Sequence, residues 1–199
     1  MPDFSPRLLR AFVETLSAEL GADHYSAVLE KAGITLPNLD PKAGATIPAS
    51  AASLAYADLQ RAIRTYYGRG ARGILLRVGE RLWTRLLDDA PLTMKPQISL
   101  TRGLATKRHP KPVLDLLARL YSTKSGDLTV HTLDRDLALV DHPSHAAANQ
   151  RDDEPICWTT LGLIRASLFW ATGLEFDVSE TSCRANGATQ CQFQIKTGA

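Results

Sequence analysis

Apolar residues recur at helical spacing through most of the N-terminal part of the chain and alternate in much of the C-terminal part. Ser5-Pro6 opens the first helical stretch as N-cap and first helical residue, and Leu8, Leu9, Phe12, Val13, Leu16 and Leu20 carry its apolar face as far as Gly21. Asp23 begins a second helix through Tyr25, Val28 and Leu29 that stops at Gly33. Pro37, Pro41, Gly44 and Pro48 then predict a connecting loop over 34–48. Leu54, Ala55, Leu59, Ile63 and Tyr66 predict a helix over 49–67, and Ile74, Leu75, Val78, Leu82, Trp83 and Leu86 predict another that ends before Asp88-Asp89-Ala90-Pro91. A further helix is predicted from Val113 through Leu116, Leu117 and Leu120 to Tyr121, followed by a turn at Ser125-Gly126-Asp127.

At that turn the period changes from helical to two. Leu128 to Leu133 and Leu137 to Val140 alternate around Asp134-Arg135-Asp136 and predict a β-hairpin. A polar loop is expected from His142 to Asp153, and Cys157 to Thr172 returns to helical spacing before Gly173. Phe176 and Val178, then Cys191, Phe193 and Ile195, predict two closing strands, with Asn186-Gly187 as a tight turn between them. The order helices, hairpin, helix, hairpin predicts a single α+β domain: an antiparallel sheet of two hairpins covered by several helices. Its helical part is expected over 1–123 and the part holding both hairpins over 124–199.

Composition sharpens this picture mainly by exclusion. With 199 residues, 44% hydrophobic and 22% charged, the chain is of ordinary globular make-up, and 23 basic against 21 acidic residues leave a formal charge of +2 that does not point to nucleic acid. Lys107, Arg108, His109 and Lys111 form a basic stretch, but two prolines and no interleaved aromatics make it a solvated loop. Gly68-Arg69-Gly70-Ala71-Arg72-Gly73 matches the letters of a dinucleotide fingerprint yet follows a helix, so it reads as a helix break that lets the next helix pack closely. No Walker-type loop occurs, and neither a signal peptide nor a membrane span is apparent, so the protein is expected in the cytoplasm. In that reducing setting three cysteines read as thiolate ligands or buried thiols.

All three cysteines fall in one group with a carboxylate. Cys157 precedes Glu180 by twenty-three residues, Cys183 follows Glu180 by three, and Cys191 follows Cys183 by eight. Thiolate and carboxylate donors suit zinc, and four protein ligands would close a structural site. An offset of three places Glu180 and Cys183 on opposite faces of a regular strand, so a shared site requires the chain to leave strand geometry at Thr181-Ser182. Cys157 sits at a helix N-terminus, where the dipole favours a thiolate. By this local chemistry a metal site and three buried thiols beside a surface Glu weigh equally.

Other groups carry less. His142-Pro143-Ser144-His145 has a metal-like spacing in what reads as an exposed loop, and Asp88-Asp89 and Asp152-Asp153-Glu154 read as solvated acidic surface. Trp83, Trp158, Phe169 and Trp170 read first as core and second as cavity walls. Leu161, Ile164 and Leu168 share one helix face that Val178 can adjoin, and these four are the expected wall of a ligand pocket. No Ser-His-Asp arrangement, paired-carboxylate constellation or redox C-x-x-C stands out, so an enzyme is not the first expectation.

The segment from Cys157 to Ile195, with its helix ending at Gly173 and then Glu180-Thr-Ser-Cys183-Arg-Ala-Asn-Gly187-Ala-Thr-Gln-Cys191-Gln-Phe193, resembles the C-terminal signature of the 4-vinyl reductase (hydrocarbon-binding) domain family. It is similar in particular to the ligand-sensing domains of phenol-responsive transcriptional activators. The resemblance implies structural zinc held by Cys157, Glu180, Cys183 and Cys191, and a small apolar pocket for a hydrophobic, aromatic ligand. His109 is the expected polar anchor in that pocket. It implies a homodimer and a fold kinship with vesicle-tethering adaptor subunits. No ATPase or DNA-binding segment is seen after the hairpins, so a stand-alone sensor is expected to signal through a partner protein, unless the chain is a fragment of a larger regulator. Two alternatives accompany this expectation: an accessory or reductase-like protein acting on a vinyl tetrapyrrole, weakened by the lack of a nicotinamide-binding unit, and a non-enzymatic adaptor.

Overall fold

The computed structural model describes residues 4–34, 48–104 and 109–198, and its order of elements is that of an α+β fold. Helices α1 (Pro6–Leu20) and α2 (Ala22–Ala32) meet at Gly21, whose φ of 75° no ordinary side chain adopts readily. Helices α3 (Ala49–Tyr67) and α4 (Ala71–Asp88) are joined by a 3-10 turn over Gly68–Gly70. The Gly68 to Gly73 motif is therefore a junction between two helices, as its position after a helix implies. Most of the predicted 34–48 loop lies outside the described residues.

A helix absent from the sequence expectation comes next: α5 (Lys95–Leu104), in which Thr101 alone is buried. Leu100 and Leu104 remain exposed, so α5 has no buried apolar stripe for periodicity to reveal. Helix α6 (Lys111–Tyr121) buries Val113, Leu114, Leu116, Leu117, Leu120 and Tyr121 and has the strong amphipathic pattern that made it legible.

The strands β1 (Leu128–Leu133), β2 (Asp136–Asp141), β3 (Asp177–Ser182) and β4 (Cys191–Lys196) form one antiparallel sheet in the order β1-β2-β4-β3. The two hairpins join through β2 and β4, with Leu139 opposite Phe193 and Asp141 opposite Cys191. Asp134, at φ 50°, and Arg135 form the first turn. The second connection is not the expected tight turn. A 3-10 turn over Arg184–Asn186, ended by Gly187 at φ 99°, occupies most of an eight-residue link, and the Ala188 N–H donates to the Cys183 carbonyl at 3.1 Å. Asn186-Gly187 thus supplies a left-handed residue after a helical turn, a use of that pair which sequence alone does not separate from a hairpin.

Helix α7 (Trp158–Thr172) runs through the interior and ends at Gly173, φ 67°. It crosses α4 at a glycine pair. A Cβ built on Gly79 would lie 2.1 Å from the Thr159 carbonyl oxygen, and one on Gly162 would lie 2.2 Å from that of Leu76. Only two glycines let these backbones touch, and the close approach helps α7 pack against α4 along much of its length. Among the described residues no helix is long and apolar enough to cross a membrane.

The segment 142–150 corrects a second expectation. Only His142 and Asn149 are not buried there, while Pro143 to Ala147 and Gln150 are. The segment docks on α3: the His145 ring, 4.7 Å from that of Phe4, shares a 2.9 Å hydrogen bond between its Nδ1 and Ser53 Oγ, and Gln150 Nε2 donates to the Ala57 carbonyl at 2.9 Å. His142 and His145 therefore diverge, one outward and one into the core.

Candidate metal centre

Four chain segments converge where α7 begins. Cys157 is the N-cap of α7, and its backbone N–H donates to Glu180 Oε2 at 2.9 Å. Glu180 lies on β3, whose pairing with β4 shifts register between Glu180 and Ser182. That irregularity is the departure from strand geometry that the three-residue offset demands, and it brings Cys183 to the side of Glu180. Cys191 opens β4, and its N–H donates to Ser144 Oγ at 3.1 Å. The Arg184 N–H points at Cys191 Sγ at 3.4 Å.

The outcome is a compact donor set. Cys157 Sγ lies 3.3 Å from Cys191 Sγ and 3.8 Å from Cys183 Sγ, and the latter two are 3.6 Å apart. With a Glu180 oxygen, all four donor atoms fall within 4.8 Å of one another, and the three thiols are fully buried. Zinc–sulfur bonds of about 2.3 Å in a tetrahedron place sulfurs about 3.8 Å apart, so the observed spacing fits a tetrahedral ion after small adjustments. A second observation points the same way: Glu180 Oε1 is buried and has no hydrogen-bond partner among the described residues. Such an orphaned carboxylate oxygen is costly unless a cation meets it.

The electrostatics agree. Burial first, then the neighbouring Cys183 thiolate, push the Glu180 carboxyl up to about 8. Hydrogen bonds from the other two thiols hold Cys183 far below an ordinary thiol, while Cys157 is raised by those same bonds and by burial. Left to themselves the groups keep one negative charge and share protons around it. A divalent cation displaces those protons and takes the charge of the whole set.

Around the cluster lies polar support that sequence reasoning missed. Asp141 is buried, its Oδ1 accepts the Ser144 N–H at 2.8 Å, and the Ser144 hydroxyl donates to the Asp141 carbonyl at 2.7 Å. This turn, with Ser144 at φ 48°, positions the hydroxyl that receives Cys191. Desolvation raises the Asp141 carboxyl to about 7. Behind it Tyr56 and Tyr121 share a 2.9 Å hydroxyl contact, also buried. The available signal was Ala146-Ala147-Ala148, an apolar run inside a loop read as polar.

The expected pocket residues lie elsewhere than in a cavity. Leu161, Ile164, Leu168 and Val178 are packed in the core, and His109 is exposed. None of the five lines the main cavities among the described residues. The largest of these, about 1080 Å³, is a cleft between α4 and the C-terminal half of α7, walled by Trp83, Phe169, Trp170 and Phe176. Trp83 is also buried core, whereas Phe169 is 54% exposed. Trp158 is only partly buried, packed against the core.

Comparison with known proteins agrees with this placement. Residues 139–197 match the model of the 4-vinyl reductase domain, which establishes the family likeness carried by the C-terminal cysteine pattern over that segment. Among solved structures, an H-NOX protein from S. oneidensis in the Fe(II)NO ligation state is similar at 15% identity, covering 96% of this chain and 98% of that one, with a TM-score of 0.56. An H-NOX domain from Shewanella oneidensis in the Fe(II)CO ligation state gives 18% identity, 95% and 96% coverage and a TM-score of 0.50. The phenol-responsive sensory domain of the transcription activator PoxR, solved with phenol, aligns at 16% identity over 69% of each chain with a TM-score of 0.47. At these identities the H-NOX likeness concerns the fold alone. No curated protein matches the chain.

Proposed function

We propose that this chain is a zinc-stabilised domain that binds and senses a small hydrophobic, aromatic molecule. The observation that carries the reading is the division of labour along α7: the thiol and carboxylate cluster sits at its N-terminus, and an aromatic-walled cleft runs along its C-terminal half. In this reading Cys157, Glu180, Cys183 and Cys191 are the four ligands of one zinc ion. A full protein shell has no open position for water, so the metal fastens the start of α7 to β3 and β4 and performs no chemistry of its own. Residues 1–123 and 124–199 act as one unit, because α4 supplies one wall of the cleft and α7 the other. The proposal places the domain in the cytoplasm as a homodimer that signals to a partner protein.

Metal analysis of untagged protein tests the scaffold half of this reading: one zinc per chain is expected, with a clear fall in Tm after chelation. Substoichiometric metal, or a Tm indifferent to chelation, overturns it. Native mass spectrometry of the freshly purified protein tests the other half, with a bound small molecule as the expected result.

A further inference from the structure

We propose that the cleft between α4 and α7 takes a planar aromatic carboxylate, stacked on its aromatic wall and anchored at Arg102. This rests on the reading of the domain as a binder of small aromatic molecules, and it adds the place and the charge of the ligand. Neither the cysteine cluster nor any of the five residues expected from the sequence to form a pocket belongs to this site.

The shape of the wall selects a flat partner. Trp83 and Trp170 meet edge to face, with ring centroids 5.5 Å apart and planes at 71°, and Phe169 beside them leaves more than half of its surface uncovered at 54% exposure. A planar ring laid against these faces covers apolar area that the protein alone leaves in water. The volume, about 1080 Å³, admits a molecule of two or three fused rings without rearrangement of the backbone.

The charges select an anion and orient it. The guanidinium carbon of Arg102 stands 5.6 Å from the centroid of the Trp170 ring. No carboxylate among the described residues pairs with this arginine, so its planar fork is available to a ligand carboxylate. On the other flank of Trp170, the buried Trp83 indole N–H has no hydrogen-bond partner among the described residues. A donor buried in that way is satisfied by a ligand oxygen reaching the Trp83–Trp170 contact. The remaining charges of the cleft are Arg165, which donates to the Val178 carbonyl at 3.3 Å, and Glu80 and Glu175. The two glutamates repel a carboxylate from their side, so the anionic end of the ligand points to Arg102.

Three probes of one shape separate the contributions: 2-naphthoate, naphthalene and 2-naphthylmethylammonium, added to the ¹⁵N-labelled, metal-loaded protein. The indole N–H signals of the three tryptophans are assigned by Trp83→Phe, Trp158→Phe and Trp170→Phe; if Trp83→Phe does not fold, the other two assign its signal by difference. The expected result is that 2-naphthoate shifts the Trp83 and Trp170 signals, with Trp83 moving downfield, and binds at least tenfold more tightly than the other two. Arg102→Gln, an exposed change that leaves Tm alone, is expected to remove that preference, and Arg102→Lys to restore part of it. Naphthalene binding at the same signals as tightly as 2-naphthoate, with Arg102→Gln silent, overturns the anionic assignment but leaves the aromatic-binding reading standing. Preference for the ammonium overturns it in favour of Glu80 and Glu175. If no probe moves Trp83 or Trp170 while native mass spectrometry finds a bound molecule, the placement is wrong; if neither experiment finds a ligand, the binding reading fails with it.

Discussion

Glu180 divides its two oxygens between tasks, one receiving the Cys157 N–H and the other left for the centre of the thiol cluster. Glu180→Gln keeps an acceptor for the N–H and removes the anion, so zinc affinity is expected to fall more than ~10-fold in a protein that still folds, as competition with a chromophoric chelator measures. Cys191→Ser removes a sulfur around which both neighbours are arranged; a loss of several kcal/mol, hence a fall in Tm on the order of 10 °C or more, is expected by calorimetry. Asp141 makes a different prediction. Its folded carboxyl is raised from 3.8 to about 7 by burial, so between those values the folded chain holds a proton that the unfolded chain has released. Its contribution to stability is fully present below about pH 4 and is lost as pH rises through about 7. Urea unfolding at several pH values should show this slope in the wild type and a flatter one in Asp141→Asn. A wild-type curve with no excess slope over Asp141→Asn contradicts the assignment. Spacing and resemblance grouped the three cysteines with Glu180, and their donor atoms do lie together; Asp141, Ser144 and His145 stayed hidden, because their roles depend on a segment packing against α3 and no local pattern encodes that contact.

Among the elements, those with a strong apolar period were legible from the sequence, and those defined by a partner were not. The helices α1, α3, α4 and α6 and the hairpin β1–β2 announce themselves through spacing. Helix α5 does not, since it lies on the surface with its leucines exposed, and the link between β3 and β4 was read from Asn186-Gly187 as a shorter turn than it is. The crossing of α4 and α7 was equally invisible: Gly79 and Gly162 are eighty-three residues apart, and neither carries a local motif. Gly79→Ala and Gly162→Ala each drive a methyl into a backbone carbonyl and are expected to cost several kcal/mol. Gly103→Ala, on α5 with open space around it, is expected to stabilise by a few tenths to about 1 kcal/mol instead. Denaturation of the three variants side by side decides; equal effects at Gly79 and Gly103 would count against a backbone contact.

On the scale of the molecule, the helical part and the hairpin part share one interior, and α7 is common to both. The α+β architecture followed from element order alone, whereas the cleft did not, because its walls come from α4, α5 and α7 and no single stretch of sequence contains them. Zinc removal is expected to raise hydrogen exchange first in β3, β4 and the opening turn of α7, and later in the helices; uniform exchange across the chain would show that the metal does not fasten that corner locally.

The glycine contact has a mechanical meaning. A junction made of side chains can adjust its rotamers, but two backbones in contact at Gly79 and Gly162 can neither approach nor slide without collision. What they can do is turn about the point of contact, which makes that point a fulcrum. At a rise of about 1.5 Å per residue, Cys157 stands about 8 Å from it on one side and Trp170 about 12 Å on the other. Any tilt of α7 is therefore shared between the sulfur cluster and the aromatic cleft in opposite directions, with the longer arm at the cleft.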